Sequence, residues 1–265
     1  MPAPPMHVSF REDRPTHVSA QTAEDVVKAL DGRLPADVVA AHLEELPFSY
    51  IARTPAEAIG DHILLVQRAG GRTAVEHTRR GNSDEITLVA SDRPGILSAL
   101  AGMLAMHRVS ILGGAIHTKA SGYAIDVLSV ARAVDATSSW DAVCSDIARA
   151  LDGEVTVDDS SVFGQRGGTA VAAGRTPTIV YVDNGTSHRF TKVEVNADDR
   201  VGVLYVIARE MAKLELDIHL AQVETLGATT VDTFFLRRAD GSRIESAEDI
   251  QALRRAITAG IAALP

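Results

Sequence analysis

The 265-residue chain has one cysteine, Cys144, which excludes an intramolecular disulfide framework and any multi-cysteine zinc or iron–sulfur site. That cysteine falls in a helical pattern near Val143 and Ile147 with no adjacent histidine, so a small core or half-buried residue is expected rather than a nucleophile. Basic residues are also short: Lys+Arg is 26 against Asp+Glu 35, a formal charge of −9. An acidic chain does not draw phosphate backbones through its overall field, so no nucleic-acid partner is expected. Arg79-Arg80 and Arg254-Arg255 are isolated pairs that read as solvated surface. No apolar run reaches the ~18–20 residues of a membrane span. The N-terminal Met1-Pro2-Ala3-Pro4-Pro5-Met6 lacks the basic and apolar regions of a signal peptide, so a cytoplasmic protein with no membrane contact is expected. Against these absences stand 46% apolar and 23% charged residues, the balance of a globular chain with room for one large domain or two small ones.

Catalytic signatures are missing as well. There is no Gly-x-x-x-x-Gly-Lys loop and no Gly-x-Gly-x-x-Gly. No two Asp residues lie two apart, which removes the paired carboxylates that hold divalent ions in nucleotidyl transfer. No His-Asp dipeptide occurs, and the nine histidines show no i,i+4 pairing. His62, His107 and His219 read as edge-of-core or surface residues. No catalytic residue, metal site or cofactor is expected.

What the chain does contain is an internal repeat. Asp92-Arg93-Pro94-Gly95-Ile96-Leu97 recurs as Asp199-Arg200-Val201-Gly202-Val203-Leu204, an offset of 107. At the same offset Ala90, Ala101, Ala105, Ile111 and Thr118 meet Ala197, Ala208, Ala212, Ile218 and Thr225, and one residue of slippage brings Asp126 opposite Asp232.

Each copy has the same pattern. Ile86, Leu88 and Ala90 alternate, as do Val193, Val195 and Ala197, which predicts half-buried strands. After the Asp-Arg-x-Gly turn, Ile96, Leu97, Leu100, Ala101 and Leu104 form an apolar helical stripe, matched by Val203, Leu204, Ile207, Ala208 and Met211. Strands are predicted at Val109–Thr118 and Tyr123–Ala131, and at Leu216–Thr225 and Thr230–Arg237. A second helix follows each pair, opened by Ser138-x-x-Asp141 and Ser246-x-x-Asp249. Glu154–Val157 reads as a last strand of the first copy. Further strands, Thr73–Thr78 and Thr178–Asp183, precede the units and are joined to them by Gly81-Asn82 and Asn184-Gly185 hairpin turns.

The fold class is therefore α+β: two ferredoxin-like βαββαβ units in tandem behind an N-terminal helical segment. The boundaries are a loose N-terminus at 1–21, a helical lead-in at 22–71, a first unit at 72–159, a glycine-bearing linker at 160–177 and a second unit at 178–265. The lead-in carries three short helical patterns. The third opens on Thr54-Pro55-x-Glu57, an expected N-cap with Pro at the first helical position, and stops at Gly70-Gly71.

The Asp-Arg-x-Gly turn has two readings. The structural one is an Asp N-cap and a Gly required by a tight turn, repeated because the fold repeats. In the functional one, a Gly without Cβ lets a ligand carboxylate approach a helix N-terminus while the Asp takes its ammonium group, a cradle for an amino acid.

The repeated unit resembles the ACT domain, a ligand-binding regulatory module of βαββαβ topology. More narrowly, 85–130 and 178–236 resemble the tandem ACT domains at the C-terminus of the bacterial PII uridylyltransferase/uridylyl-removing enzymes. The residues that carry this are SDRPGILSALAGMLAMHRVSI, GYAIDVLSV, VYVDNGTSHRFTKVEV and LDIHLAQVETLGATTVDTFFL. Residues 47–66, PFSYIARTPAEAIGDHILLV, resemble the helical segment ahead of those domains. The resemblance implies a sensor of nitrogen status that binds glutamine near the first turn and the start of the second strand, often across an interface between domains. By matching position it points to Asp92, Arg93, Gly95, Ile96 and Leu97 with Ser110 and Ile111 in the first copy. In the second it points to Asp199, Arg200, Gly202, Val203 and Leu204 with Asp217 and Ile218.

Departures from the family pattern bear on this. The nucleotidyltransferase and HD signatures are absent, and Val201 stands where the family has Pro. Ser110 against Asp217 predicts unequal sites, the second carrying more of the ammonium recognition. Two alternatives stay open. One is an interaction module indifferent to ligand, binding a PII-type or ACT-containing protein or a second copy of itself. The other is a truncated piece of a uridylyltransferase.

Overall fold

The computed structural model describes residues 20–132, 137–164 and 176–264. Residues 1–19 of the expected loose N-terminus and most of the linker at 160–177 thus lie outside the described residues, whereas residues 20 and 21 are helical. Four helices make the lead-in rather than three: α1 (Ala20–Ala29), α2 (Ala36–Glu44), α3 (Phe48–Arg53) and α4 (Ala56–Ala69). The short α3 is too brief to show a period of its own. Helix α4 starts one residue later than Thr54 implies, with Pro55 at the N-cap, and ends at Gly70.

The first unit follows as β1 (Ala74–Arg80), β2 (Ser83–Ser91), α5 (Ile96–Met106), β3 (Val109–Thr118), β4 (Tyr123–Arg132) and α6 (Trp140–Leu151). A five-residue helix, α7 (Asp159–Phe163), occupies the start of the expected linker. The second unit is β5 (Ile179–Asp183), β6 (Thr191–Asp198), α8 (Val203–Lys213), β7 (Leu216–Leu226), β8 (Thr229–Arg238) and α9 (Ala247–Ala262). Gly81-Asn82 closes a tight hairpin, with Arg80 opposite Ser83. The Asn184-Gly185 turn instead opens a longer loop before Thr191, tied down by Asp183 accepting from the Gly185 amide at 2.7 Å. The N-cap of α6 is Ser139, not Ser138, whose hydroxyl is engaged by His107 at 2.9 Å; Ser246 caps α9 as expected.

Within each unit the sheet runs β1-β2-β4-β3 and β5-β6-β8-β7. Strand β1 lies antiparallel along the edge of β2, the place that the last strand of a βαββαβ unit would fill. The residues of Glu154–Val157 are not a strand, since the edge they would join is already taken by β1. The hairpin strand that leads each unit thus replaces the strand that would close it.

The two sheets join through β3 and β7, antiparallel from Gly113 opposite Glu224 to His117 opposite Leu220. One eight-stranded antiparallel sheet results, and the units pair within a single chain. Helices α5 and α8 pack against each other on one face, flanked by α6 and α9. A single hydrophobic core runs beneath them from Ile86 and Leu100 to Ile207 and Phe234. Every residue of the predicted stripes on α5 and α8 is buried. Cys144 is half-buried against this core, and burial pushes its thiol up to about 11, which keeps it protonated.

The opposite face of the first unit is covered by the lead-in. Val26, Leu30, Leu43, Tyr50, Ile59 and Ile63 pack on Val89 and Ile125, so Ile86 through Ala90 are buried on both faces rather than on alternate ones. Among the described residues no helix is long and apolar enough to cross a membrane.

Candidate functional site

Strands β2 and β6 each deliver the chain to an Asp whose amide is fixed by the neighbouring hairpin: Asp92 N–H donates to Gly122 O at 2.9 Å and Asp199 N–H to Ala228 O at 2.8 Å. Three residues on, Gly95 (φ 95°) and Gly202 (φ 86°) stand at the N-caps of α5 and α8 in the left-handed region. The expected Asp N-cap is not formed; glycine occupies that position because the chain must reverse there with positive φ. Asp92 instead accepts from the Thr118 hydroxyl at 2.8 Å.

The arginines of the repeat have a structural task. Arg93 donates to the Leu151 carbonyl at the end of α6, and Arg200 donates to Ile261 O at 3.0 Å and Leu264 O at 3.4 Å at the end of α9. A guanidinium there meets the negative end of the helix dipole and the last unpaired carbonyls. Truncation of Arg200 to alanine should therefore lower unfolding stability by about 1–3 kcal/mol, read by urea denaturation. A purely ligand-contacting arginine would leave that midpoint where it was.

The seam between the units regroups the other candidates. The turn of the second unit faces the start of β3 in the first unit, and the turn of the first faces the start of β7 in the second. A cavity of about 160 Å3 is lined by Asp199, Arg200, Gly202, Val203 and Leu204 together with Ser110 and Ile111. Its counterpart, about 20 Å3, is lined by Asp92, Arg93, Gly95, Ile96 and Leu97 with Ile218. Sequence position groups each turn with the strand of its own copy; strand pairing across the seam exchanges them. Asp217 accordingly neighbours Asp92, not Asp199, and it already pairs with Arg237 at 2.9 Å. An ammonium group at the second turn would meet the neutral Ser110 instead.

The two cavities are related by the same repeat. Ala101 and Ala105 line one where Ala208 and Ala212 line the other, and Val109 and Leu216 do not occur together in either. Leu216 carries one more methylene than its counterpart Val109. The Thr118–Asp92 bond also holds the first turn against its own sheet, whereas Thr225, the counterpart of Thr118, donates to Ile111 O at 3.4 Å. Asp199 is left facing the larger cavity.

The site residues expected from the sequence include none on β4 or β8. Asp126 and Asp232, each 1% exposed, project from the central strands toward the helices and line the smaller and larger cavity respectively. Burial raises the Asp126 carboxyl well above its ordinary range, helped by nearby Asp92, and both its oxygens lack a hydrogen-bond partner. Asp232 is pushed up to about 7 by burial; hydrogen bonds from the Thr230 hydroxyl and the Glu224 backbone amide oppose the rise, and the charges of Asp199 and Glu224 add to it. Thr230 donates to Asp232 Oδ1 at 2.6 Å, while Oδ2 is buried without a partner. Burial also raises Asp92 and Asp199. The signal for these residues was their recurrence on an otherwise apolar face of the repeat, at one residue of slippage. Among the described residues no group of three or more His, Cys, Asp or Glu side chains is placed to hold a metal ion.

No family model matches the chain. The chain is 30% identical over 220 residues to the bifunctional uridylyltransferase/uridylyl-removing enzyme of Phenylobacterium zucineum, covering 80% of this chain and 23% of that protein. The same enzyme of Caulobacter vibrioides is 27% identical over 221 residues, 80% of this chain and 24% of the relative. That of Azospirillum brasilense is 29% identical over 218 residues, 78% and 23%. The chain thus spans about a quarter of the length of the curated relatives it matches. An aspartate kinase from Synechocystis overlays 66% of this chain and 27% of its own at 16% identity, with a TM-score of 0.38. The chain is thus two copies of one helix-on-sheet unit, joined edge to edge and similar in sequence to about a quarter of the bifunctional uridylyltransferase/uridylyl-removing enzymes.

Proposed function

We propose that the chain is a non-catalytic regulatory module that senses an amino acid, glutamine above others, in nitrogen-status signalling. The observation that carries this is the cavity of about 160 Å3 at the seam, lined from both units. An enclosed cavity of about 150 Å3 accepts a ligand of benzene size. An open one of similar volume holds the ammonium–carboxylate end of an amino acid and leaves its side chain to reach outward. The acids Asp199 and Asp232 suit the ammonium group, and the start of α8, the positive end of its helix dipole, suits the carboxylate. Because Ala101, Ala105 and Ser110 come from one unit and Val203 and Leu204 from the other, a ligand there would fix the units relative to each other. That couples occupancy to the shape of the sheet and helix layer.

The matched relatives are named for uridylyl transfer and removal, and this chain covers about a quarter of them. The reading proposed here is that the shared segment supplies the sensing part and that a PII-type or ACT-containing protein receives the signal. Titration calorimetry of the purified chain against each of the twenty amino acids tests the proposal. Saturable binding of glutamine at one molecule per chain is expected. Absence of heat with every amino acid would overturn it.

A further inference from the structure

We propose that Asp232, on the floor of the larger seam cavity, is the residue that receives the ligand's ammonium group, so that a ligand without that group is rejected. This rests on the amino-acid-binding reading above and names the residue that sets the chemical class. A carboxyl group 1% exposed, placed on the helix-facing side of a central strand among Val195, Val223 and Phe234, is an expensive choice for a core position. The Thr230 hydroxyl donates to its Oδ1 at 2.6 Å and the Glu224 backbone amide also acts on the carboxyl, but Oδ2 has no donor in hydrogen-bonding geometry, and the residue lines the cavity. Buried polar atoms without partners are uncommon and call for an explanation. A donor brought by the ligand supplies one.

The surroundings favour a cation over a neutral donor. Asp199 from the turn before α8 lines the same cavity, and its charge and that of Glu224 on β7 raise the Asp232 carboxyl against the opposing Glu224 amide. The positive group nearest by sequence, Arg200, also lines the cavity, but its donors are directed to the carbonyls of Ile261 and Leu264. Ser110 from β3 offers a hydroxyl and no charge. The acids therefore outnumber the available cations, and an ammonium placed between Asp199 and Asp232 relieves both.

Asp126 provides the internal comparison. It holds the corresponding position with both oxygens unpartnered, yet its cavity of about 20 Å3 has room for a water-sized body only. The repeat keeps the buried acid in both units, while the space for a ligand exists above one of them.

With Asp232 raised to about 7, a fraction of its carboxyl groups carries a proton in the free protein near neutrality. Pairing with an ammonium group favours the carboxylate, so the carboxyl proton passes to buffer as the ligand enters. The test uses L-glutamine and its deamino analogue 4-carbamoylbutyrate, titrated by calorimetry into the chain at pH 7 in two buffers of different ionisation enthalpy. Wild type is expected to bind glutamine with proton release and to reject the analogue. Asp232→Asn should weaken glutamine at least tenfold and abolish the buffer dependence, while Asp126→Asn changes the affinity less than twofold. If the analogue binds as tightly as glutamine, or folded Asp232→Asn binds within twofold of wild type, the assignment to Asp232 is overturned and the amino-acid-binding reading survives. If wild type binds none of the twenty amino acids, both are overturned.

Discussion

Acidification from pH 7 to pH 5 should release the helical lead-in from the sheet before the paired units unfold. The cause is a set of neutral histidines buried at that junction. His42 on α2, His62 on α4 and His117 on β3 are each under 7% exposed. Burial is the chief reason that His42 is lowered to about 3, His62 to about 4 and His117 to about 3. Nearby charges act in both directions: Lys119 and Arg80 lower the values, Glu45 and Asp61 raise them, and His62, His219 and Arg53 add to the lowering at His117. The hydrogen bonding is partial. Tyr50 Oη lies 2.7 Å from His62 Nδ1, whereas His42 Nε2, His62 Nε2 and His117 Nδ1 are buried without partners. A histidine released to water titrates near 6.5, so below that pH the undocked state takes up protons that the docked state refuses. Stability from this source is complete above pH ~6.5 and falls as pH drops toward the docked values. At about 1.4 kcal/mol per pH unit and group, three histidines cost about 6 kcal/mol by pH 5.

Global unfolding carries an opposing contribution. Asp126 and Asp232 are raised in the folded state, so they hold protons that the unfolded chain gives up until about pH 3.9. Their contribution grows as pH falls from neutrality and offsets part of the histidine cost. They lie on the helix-facing side of the sheet, however, and undocking of the lead-in leaves them buried. Local release therefore meets the full histidine cost and global unfolding only the difference, which separates the two steps. Hydrogen exchange followed by mass spectrometry is the measurement. Amides of α4 should lose protection between pH 6.5 and 5 relative to those of β4 and β8, after correction for intrinsic rates, and His117→Phe should move that loss to lower pH. Simultaneous loss across lead-in and sheet would contradict the mechanism.

The fold was largely legible because its elements obey local rules. The stripes on α5 and α8, both strands of each central hairpin and the Gly81-Asn82 turn follow from period and turn chemistry, and the repeat supplied the same answer twice. What was not legible depended on tertiary competition. Glu154–Val157 has strand-like residues, but β1 already holds the edge of β2. Thr87 and Val89 look solvent-facing by alternation and are buried because four helices cover that side. The histidines show the same limit. His62 has no sequence partner, and its Tyr50 contact exists only because α3 and α4 fold against each other.

The sequence groups the candidate residues by copy, and the seam between the units regroups them. Of the turn residues and strand starts to which the resemblance points, all but Asp217 line one of the two seam cavities, and each cavity draws on both units. Antiparallel pairing of β3 with β7 brings Ser110 to Asp199 and Ile218 to Asp92, and nothing within one repeat encodes that exchange. Arg93 and Arg200 are expected as ligand contacts because they match the ACT pattern by position. Their identity is explained by helix ends some sixty residues away.

Substitution of the two turn glycines should separate backbone strain from packing and, on the proposed function, one cavity from the other. Both Gly95 and Gly202 hold positive φ, so a side chain at either costs about 1–2 kcal/mol of left-handed strain. Their surroundings differ. A Cβ on Gly95 would have the Ser98 hydroxyl 4.0 Å away as its nearest neighbour. A Cβ on Gly202 would fall 2.6 and 2.8 Å from the ring carbons of Phe163, the last residue of α7. That ring is partly buried against the main core and meets the edge of Tyr205 at a centroid distance of 6.0 Å, so it cannot swing aside without losing packing. Overpacking of this kind adds about 1–3 kcal/mol. Gly95→Ala should therefore lower stability by about 1–2 kcal/mol and Gly202→Ala by about 2–5 kcal/mol, read from urea unfolding. Phe163→Ala in the Gly202→Ala background should recover the packing part and leave the strain. Glutamine titration adds the functional contrast: Gly202 and its neighbours line the larger cavity, so displacement of the start of α8 should weaken binding at least tenfold, whereas Gly95→Ala should leave it within twofold. Equal losses of stability at the two glycines would show that Phe163 yields freely, and equal losses of binding would place the ligand at both turns rather than one.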